Sequence, residues 1–191
     1  ALNSLETTLP DLIISDIVMP GMDGFTFCRK IKENLSYSHI PVILLTAKTT
    51  TEEKVSGFES GADAYITKPF EPPYLEAVIK AQLKNRENLH HLLEKTTKPP
   101  LEIDDKELLP HDKQFLKGLY ELMEKELSNP ELNIQRMTET LQMSRTKFYY
   151  KVKGLTGLNP NVFFKKYKLN RAEELLSTGK YNISEVADLT G

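Results

Sequence analysis

The sequence has one cysteine, Cys28, no tryptophan and only four histidines among its 191 residues. A single thiol cannot close an internal disulfide, and no Cys/His cluster has the spacing of a structural zinc site. No apolar run approaches the roughly 20 residues that a membrane helix requires, and the opening residues do not read as a signal peptide. Direct membrane contact by this segment is therefore not expected, and a cytoplasmic location is. Internal repeats and low-complexity tracts are lacking too. So is an excess of either charge, with 25 Lys+Arg against 27 Asp+Glu for a net −2, which taken whole argues against a nucleic-acid partner. What is present, 39% hydrophobic and 27% charged residues, is the composition of a folded chain.

Divided by segment, the charge tells more. Residues 1–84 sum to −3, residues 85–109 to −2 and residues 110–191 to +3. From Ser144 to Arg171 there are eight basic side chains (Arg145, Lys147, Lys151, Lys153, Lys165, Lys166, Lys168 and Arg171) and no acid. A mildly acidic module is thus joined to one with a concentrated basic stretch, and two modules are expected.

In the first module, Asp11–Asp16 and Pro41–Thr46 are apolar runs of strand length, read as strands buried on both faces, and Ala62–Lys68 is a weaker third run. Phe25–Leu35 and Thr50–Ser60 have helical spacing, which gives β-α-β-α-β and a parallel sheet. Pro72 and Pro73 suit the first turn of a further helix through Leu75, Val78, Ile79 and Leu83. Whether it continues to His90-His91-Leu92-Leu93 is left open by the polar stretch Lys84–Asn88, and His90-His91 reads as a solvated face. Cys28 reads as a small buried apolar residue.

Asp16, Thr46 and Lys68 each fall at the carboxyl end of a strand, the edge where open α/β sheets bind ligands. A carboxylate, a hydroxyl and an ammonium together suit phosphoryl transfer, the carboxylate attacking while the other two hold the equatorial oxygens. Singly, each is an ordinary cap, turn residue or solvated charge; in order at three strand ends, they favour a site.

Asp16-Ile17-Val18-Met19-Pro20-Gly21-Met22-Asp23-Gly24, with Leu45-Thr46-Ala47 and Thr67-Lys68-Pro69-Phe70, closely resembles the response-regulator receiver domain over about residues 1–90. The resemblance implies a flavodoxin-like fold, with Asp16 as phosphoacceptor, Thr46 and Lys68 binding the phosphoryl group and Tyr65 as the aromatic switch residue. It implies Mg²⁺ held by Asp16 and the Val18 carbonyl, and a cis Lys68–Pro69 bond. Ala1–Leu9 reads as the tail of the helix before the 11–15 strand. The family's first strand, first helix and second strand, with the acidic pair that completes the Mg²⁺ site, are thus expected to be absent from this chain. The 11–15 strand would then lie at a sheet edge, and normal Mg²⁺ binding and efficient phosphorylation are not expected of this chain alone.

Residues 111–191 read as wholly helical, with helices near 111–128, 133–142, 144–154, 160–177 and 183–189, punctuated by Gly154, Gly157, Gly179 and Pro160. Leu132–Arg145 predicts two short helices with a tight turn, Ser144 capping the second. Phe148, Val152 and Leu155 form one apolar face of that helix, and Thr146, Tyr149, Tyr150 and Lys153 the opposite one. This is the arrangement of a helix-turn-helix: the outer face reads bases in the major groove, while Arg145, Lys147 and Lys151 reach phosphates. The segment resembles the AraC-type DNA-binding domain through Met143–Tyr149, Leu155-Thr156-Gly157 with Asn159-Pro160, the linker helix Leu169–Leu176, and Ile183–Ala187. That family joins two helix-turn-helix units by a long helix, and here the second unit is represented only by its start.

The expected organisation is an incomplete receiver over 1–95, a linker over 96–110 and an incomplete AraC-type domain over 111–191. The expected function is a phosphorylation-controlled, sequence-specific transcription regulator that is not itself an enzyme. Its partners are a histidine kinase in cis or in trans, double-stranded DNA and a second copy of itself. The parent is read as a hybrid sensor, a membrane-bound polypeptide carrying this part on its cytoplasmic side. The rivals are a stand-alone cytoplasmic regulator and a phosphate-independent dimerising protein with a degenerate receiver. An aspartyl-phosphate phosphatase comes last, since the second Asp it commonly carries two residues on is here Val18.

Overall fold

In the computed structural model the described residues are 2–5, 9–47, 60–97 and 108–191. They form two compact units, Ala1–Glu87 and Asn88–Gly191. The first contains α1 (Leu2–Leu5), β1 (Ile13–Asp16), α2 (Gly24–Glu33), β2 (Val42–Thr46) and β3 (Ala64–Thr67). The strands are parallel in the order β1-β2-β3, with Ile13 opposite Val42 and Ile43 opposite Ala64. The helix expected over Thr50–Ser60 falls on 48–59, outside the described residues.

Position in the sheet decides how far each apolar run is buried. Central β2 is covered on both faces, with Val42, Ile43 and Leu44 fully buried. β1 lies at the edge, and there Ile14 is 42% exposed while Ser15 is buried. Burial on both faces, expected for both strands, holds for β2 alone, because an edge strand with uncovered neighbours keeps the two-residue alternation of a half-buried ribbon.

α2 starts at Asp23, whose Oδ1 accepts from the Thr26 N–H at 2.7 Å. It buries Phe27, Cys28 and Ile31 against Leu5, Ile17, Val42 and Leu44. Lys32 is buried in its last turn, paired with Asp63 at 2.7 Å and donating to the Ser38 and Ile40 carbonyls.

A continuous helix, α3 (Pro72–Lys95), follows the sheet and runs unbroken through the polar stretch Lys84–Asn88. The boundary between the units falls inside it, because Leu89 and Leu93 are buried in the core of the second unit. Of the segment expected as a linker, 98–107 lies outside the described residues.

The second unit adds α4 (Pro110–Lys125), α5 (Ile134–Thr140), α6 (Arg145–Thr156), α7 (Pro160–Ser177) and α8 (Ile183–Thr190). Local chemistry sets the limits. Asn133, Ser144, Asn159 and Asn182 cap α5, α6, α7 and α8 through side-chain oxygens, and Pro160 opens α7. Gln142 takes a positive φ of 53° in the turn between α5 and α6. Gly157, at φ +73°, ends α6 in the left-handed conformation. Gly154, expected as punctuation, lies within the last turns of α6 instead. The core joins Leu116, Leu119 and Met123 of α4 to Phe148, Val152 and Leu155 of α6 and to Phe163 and Tyr167 of α7. Tyr120 stacks edge-on against Phe163 and Tyr167, with centroids 6.0 and 5.8 Å away. Among the described residues no helix is long and apolar enough to cross a membrane.

Candidate functional site

Parallel register brings three predicted residues to one edge. Asp16 ends β1 opposite Leu45, Thr46 ends β2 opposite Thr67, and Lys68 follows β3 directly. The backbone continues the ladder past the strand ends, the Ile17 N–H donating to the Leu45 carbonyl at 3.0 Å and the Lys68 N–H to the Thr46 carbonyl at 2.6 Å. The Lys68 ammonium ion-pairs with Asp16 Oδ2, and the Val18 N–H donates to Oδ1 at 3.2 Å. Lys68, and after it the Val18 amide, hold the Asp16 carboxyl below the usual carboxylate value. Both side chains remain over a third exposed, so a ligand can reach them, whereas Thr46 is buried. The Lys68–Pro69 peptide is cis, as the resemblance implies.

Tyr65 lies in β3, half-buried, its ring centroid 6.3 Å from that of Phe25 and its hydroxyl sharing a 3.3 Å hydrogen bond with Ser60. Burial raises its pKa. Gly24, which closes the receiver-like stretch Asp16–Gly24, is a positioning residue. A Cβ there would lie 2.3 Å from the Asp16 carbonyl oxygen and 2.8 Å from Ile17 Cα, and the Gly24 N–H donates to the Ile17 carbonyl at 2.9 Å. Only glycine lets the start of α2 approach the end of β1 this closely.

For Mg²⁺, the described residues offer at this edge one carboxylate, already engaged by an ammonium and an amide, the Thr46 hydroxyl and the Val18 carbonyl. Among the described residues no group of three or more His, Cys, Asp or Glu could hold a metal. That set falls short of the hard-oxygen environment Mg²⁺ requires, so the described residues do not by themselves form a Mg²⁺ site.

In the second unit, α6 turns Phe148, Val152 and Leu155 inward, each 1% exposed. Thr146, Tyr149 and Lys153 are exposed and Tyr150 half-buried. Tyr149 and Tyr150 meet edge-on at 5.8 Å, and the Lys153 ammonium lies 5.9 Å from the Tyr149 ring centroid. Arg145 is exposed, donating to the Gln135 side chain at 2.7 Å, and Lys147 is exposed.

Lys151 corrects the expectation. It is fully buried and ion-paired with the equally buried Asp112 of α4, whose carboxylate also lies 3.0 Å from His111 Nε2. An ammonium enclosed in this way cannot reach a phosphate. The signal was available: Lys151 stands three residues after Phe148 and four before Leu155, on their side of the helix. Elsewhere in the basic stretch, Lys166 pairs with Glu94, and Arg171 with Glu124 and Glu174. His90 is corrected too, since it is half-buried against α6 with Nε2 3.0 Å from the Gly154 carbonyl.

Residues 1–80 match the family described as response regulator receiver domain. Over its whole length the chain is 38% identical to histidine kinase P4 of Formosa agariphila, of which it spans 14%. Over 74 residues, 39% of this chain and 31% of the relative, it is 57% identical to the transcriptional regulatory protein YclJ of Bacillus subtilis. Among solved structures, the signal receiver domain of a signal transduction histidine kinase from Syntrophus aciditrophicus is 43% identical. That match covers 44% of this chain and 63% of the other, with a TM-score of 0.42. With the family match and the convergence of Asp16, Thr46 and Lys68 on one sheet edge, this part of the chain is a response regulator receiver domain of two-component signalling.

Proposed function

We propose that the chain is the regulatory and DNA-binding portion of a two-component transcription regulator. The observation that carries the reading is the edge at which Lys68 meets the Asp16 carboxylate. An Asp16 oxygen attacks the phosphorus of a kinase phosphohistidine, the N–P bond breaks, and an aspartyl phosphate forms. In this reading Lys68 accompanies the transferred group, Thr46 at the neighbouring strand end binds it, and Tyr65 serves as the switch aromatic. Mg²⁺ is expected to serve the complete site, with acidic ligands beyond Asp16 and the Val18 carbonyl supplied from elsewhere. The chain accepts a phosphoryl group and does not catalyse transfer to others.

The helical unit is read as an AraC-type DNA-binding domain. Its α5–turn–α6 pair presents Thr146, Tyr149, Tyr150 and Lys153 to bases and Arg145 and Lys147 to phosphates, in a homodimer that spans two half-sites. Similarity along the whole chain to a protein named as a histidine kinase supports a hybrid parent, with the kinase in cis. The test is labelling with radioactive acetyl phosphate in the presence of Mg²⁺. Because the described residues do not complete the Mg²⁺ site, only a slow, hydroxylamine-sensitive label is expected on the wild type, and it is lost in Asp16→Asn. Labelling of both to the same extent would remove Asp16 from the role.

A further inference from the structure

An α-helix leaves its last four carbonyls without partners inside the helix, and something else must bond them. In α3, the Leu92 carbonyl accepts from the Thr96 N–H at 3.2 Å. Those of Leu93 and Glu94 accept from the Tyr120 hydroxyl of α4 and the Asn170 amide of α7, each at 3.0 Å. Leu89 and Leu93 are buried in the helical core, the Glu94 carboxylate pairs with Lys166, and the Thr97 hydroxyl donates to Glu174. Segment 88–97 is thereby built into the second unit by contacts to both α4 and α7.

One contact goes to α6. Continuing the helix would bring the Leu158 N–H to the Gly154 carbonyl, but that amide bonds the Thr156 hydroxyl instead, at 3.2 Å. His90 Nε2 lies 3.0 Å from the Gly154 carbonyl, and because a carbonyl only accepts, the nitrogen carries the proton. The imidazole also occupies the space a side chain at Gly157 would take, since a Cβ there would lie 2.8 Å from Nδ1.

We propose that segment 88–97 is a brace for α6, with His90 as a positioning residue. His90 brings a donor from another helix to the last turn of α6, and so fixes the helix whose outer face carries Thr146, Tyr149, Tyr150 and Lys153. The brace rests on the contacts above, and its consequence for DNA rests on the function proposed for that face.

The test compares the whole chain with its His90→Ala, His90→Gln and His91→Ala variants. Hydrogen exchange is followed at the amides of 154–158, with α4 as internal reference, and binding to duplex DNA is measured by fluorescence anisotropy. Loss of the imidazole donor should speed exchange at 154–158 about tenfold in His90→Ala, with α4 unchanged. His90→Gln, whose amide can still donate to the carbonyl, should recover most of the protection, and His91→Ala should match the wild type. DNA affinity should fall in the same order. Unchanged exchange in His90→Ala, equal loosening in His91→Ala, or loosening of α4 to the same degree would each overturn the brace. The predicted exchange pattern in a chain that binds no duplex DNA would support the brace and overturn the DNA-binding reading alone.

Discussion

Lys151 and Asp112 are 0% and 1% exposed, so both charges have left water and depend on each other. Removing one partner from such a pair leaves an uncompensated buried charge, at a cost of about 3–5 kcal/mol. Lys151→Ala should therefore unfold the helical unit at markedly lower urea, near the lower end of that range because His111 still faces Asp112 at 3.0 Å. Lys151→Met with Asp112→Leu, which replaces both charges by apolar groups, should restore most of the loss. Equilibrium unfolding of the three proteins measures this directly, and a double variant no better than the single would mean that packing, not charge, sets the cost. The same pair marks a limit of sequence reading. Helical spacing places Lys151 on the inner face, but its partner is 39 residues away on another helix, and local periodicity carries no long-range pairing. Asp16, Thr46 and Lys68 were legible for the opposite reason, since each ends or directly follows a strand and parallel strands in register end together. The role of Gly24 escaped because a glycine in sequence does not show which backbone it must approach.

At the scale of elements, Ser144 as a cap and the prolines Pro72 and Pro160 placed helix starts to within a residue or two. What escaped was burial across an element, as in β1, where an apolar run says nothing about whether a neighbour covers Ile14. The cap of α2 yields a pH prediction. The Thr26 amide, as the leading cause, holds the Asp23 carboxyl below its ordinary value in the folded chain. The folded form therefore binds this proton less readily than the unfolded one. The cap's contribution is fully present above the unfolded carboxyl's pKa of about 3.9 and is lost as the pH falls through the lower folded value. Asp23→Ala should cost about 1 kcal/mol near neutrality. Urea titrations of the receiver unit across pH should show the two proteins converging in acid. A gap that stays constant down to the lowest pH would assign the loss to something other than the ionised cap.

For the whole molecule, the net charge of −2 conceals a segregation, but the basic stretch is less available than its sequence implies. Of the eight cations between Ser144 and Arg171, Lys151 is enclosed with Asp112, Lys166 pairs with Glu94 and Arg171 with Glu124 and Glu174. Spacing puts Lys151 on the inner face, but the partners escaped sequence reading, because the acids lie outside the stretch or on its rim and are brought to it by packing. Five cations remain outside these ion pairs, Arg145, Lys147, Lys165 and Lys168 for phosphates and Lys153 on the base-facing side. Each phosphate neutralised contributes about −0.9 to the slope of log K against log salt, so this stretch should contribute a slope no steeper than about −5 per chain bound. Engagement of all eight would give about −7. Lys147→Ala should make the slope shallower by about one unit and weaken binding to specific and random duplexes alike, whereas Thr146→Ala or Tyr150→Ala should alter preference between sequences. Anisotropy titrations over a range of salt concentrations provide the measurement. A contribution near −7 per chain from this stretch alone, read from the loss in slope on replacing its cations by Ala one at a time, would require Lys166 and Arg171 to leave their carboxylates and Lys151 its enclosure on binding, which would make DNA recognition a rearrangement of the unit's core instead of a contact with its surface.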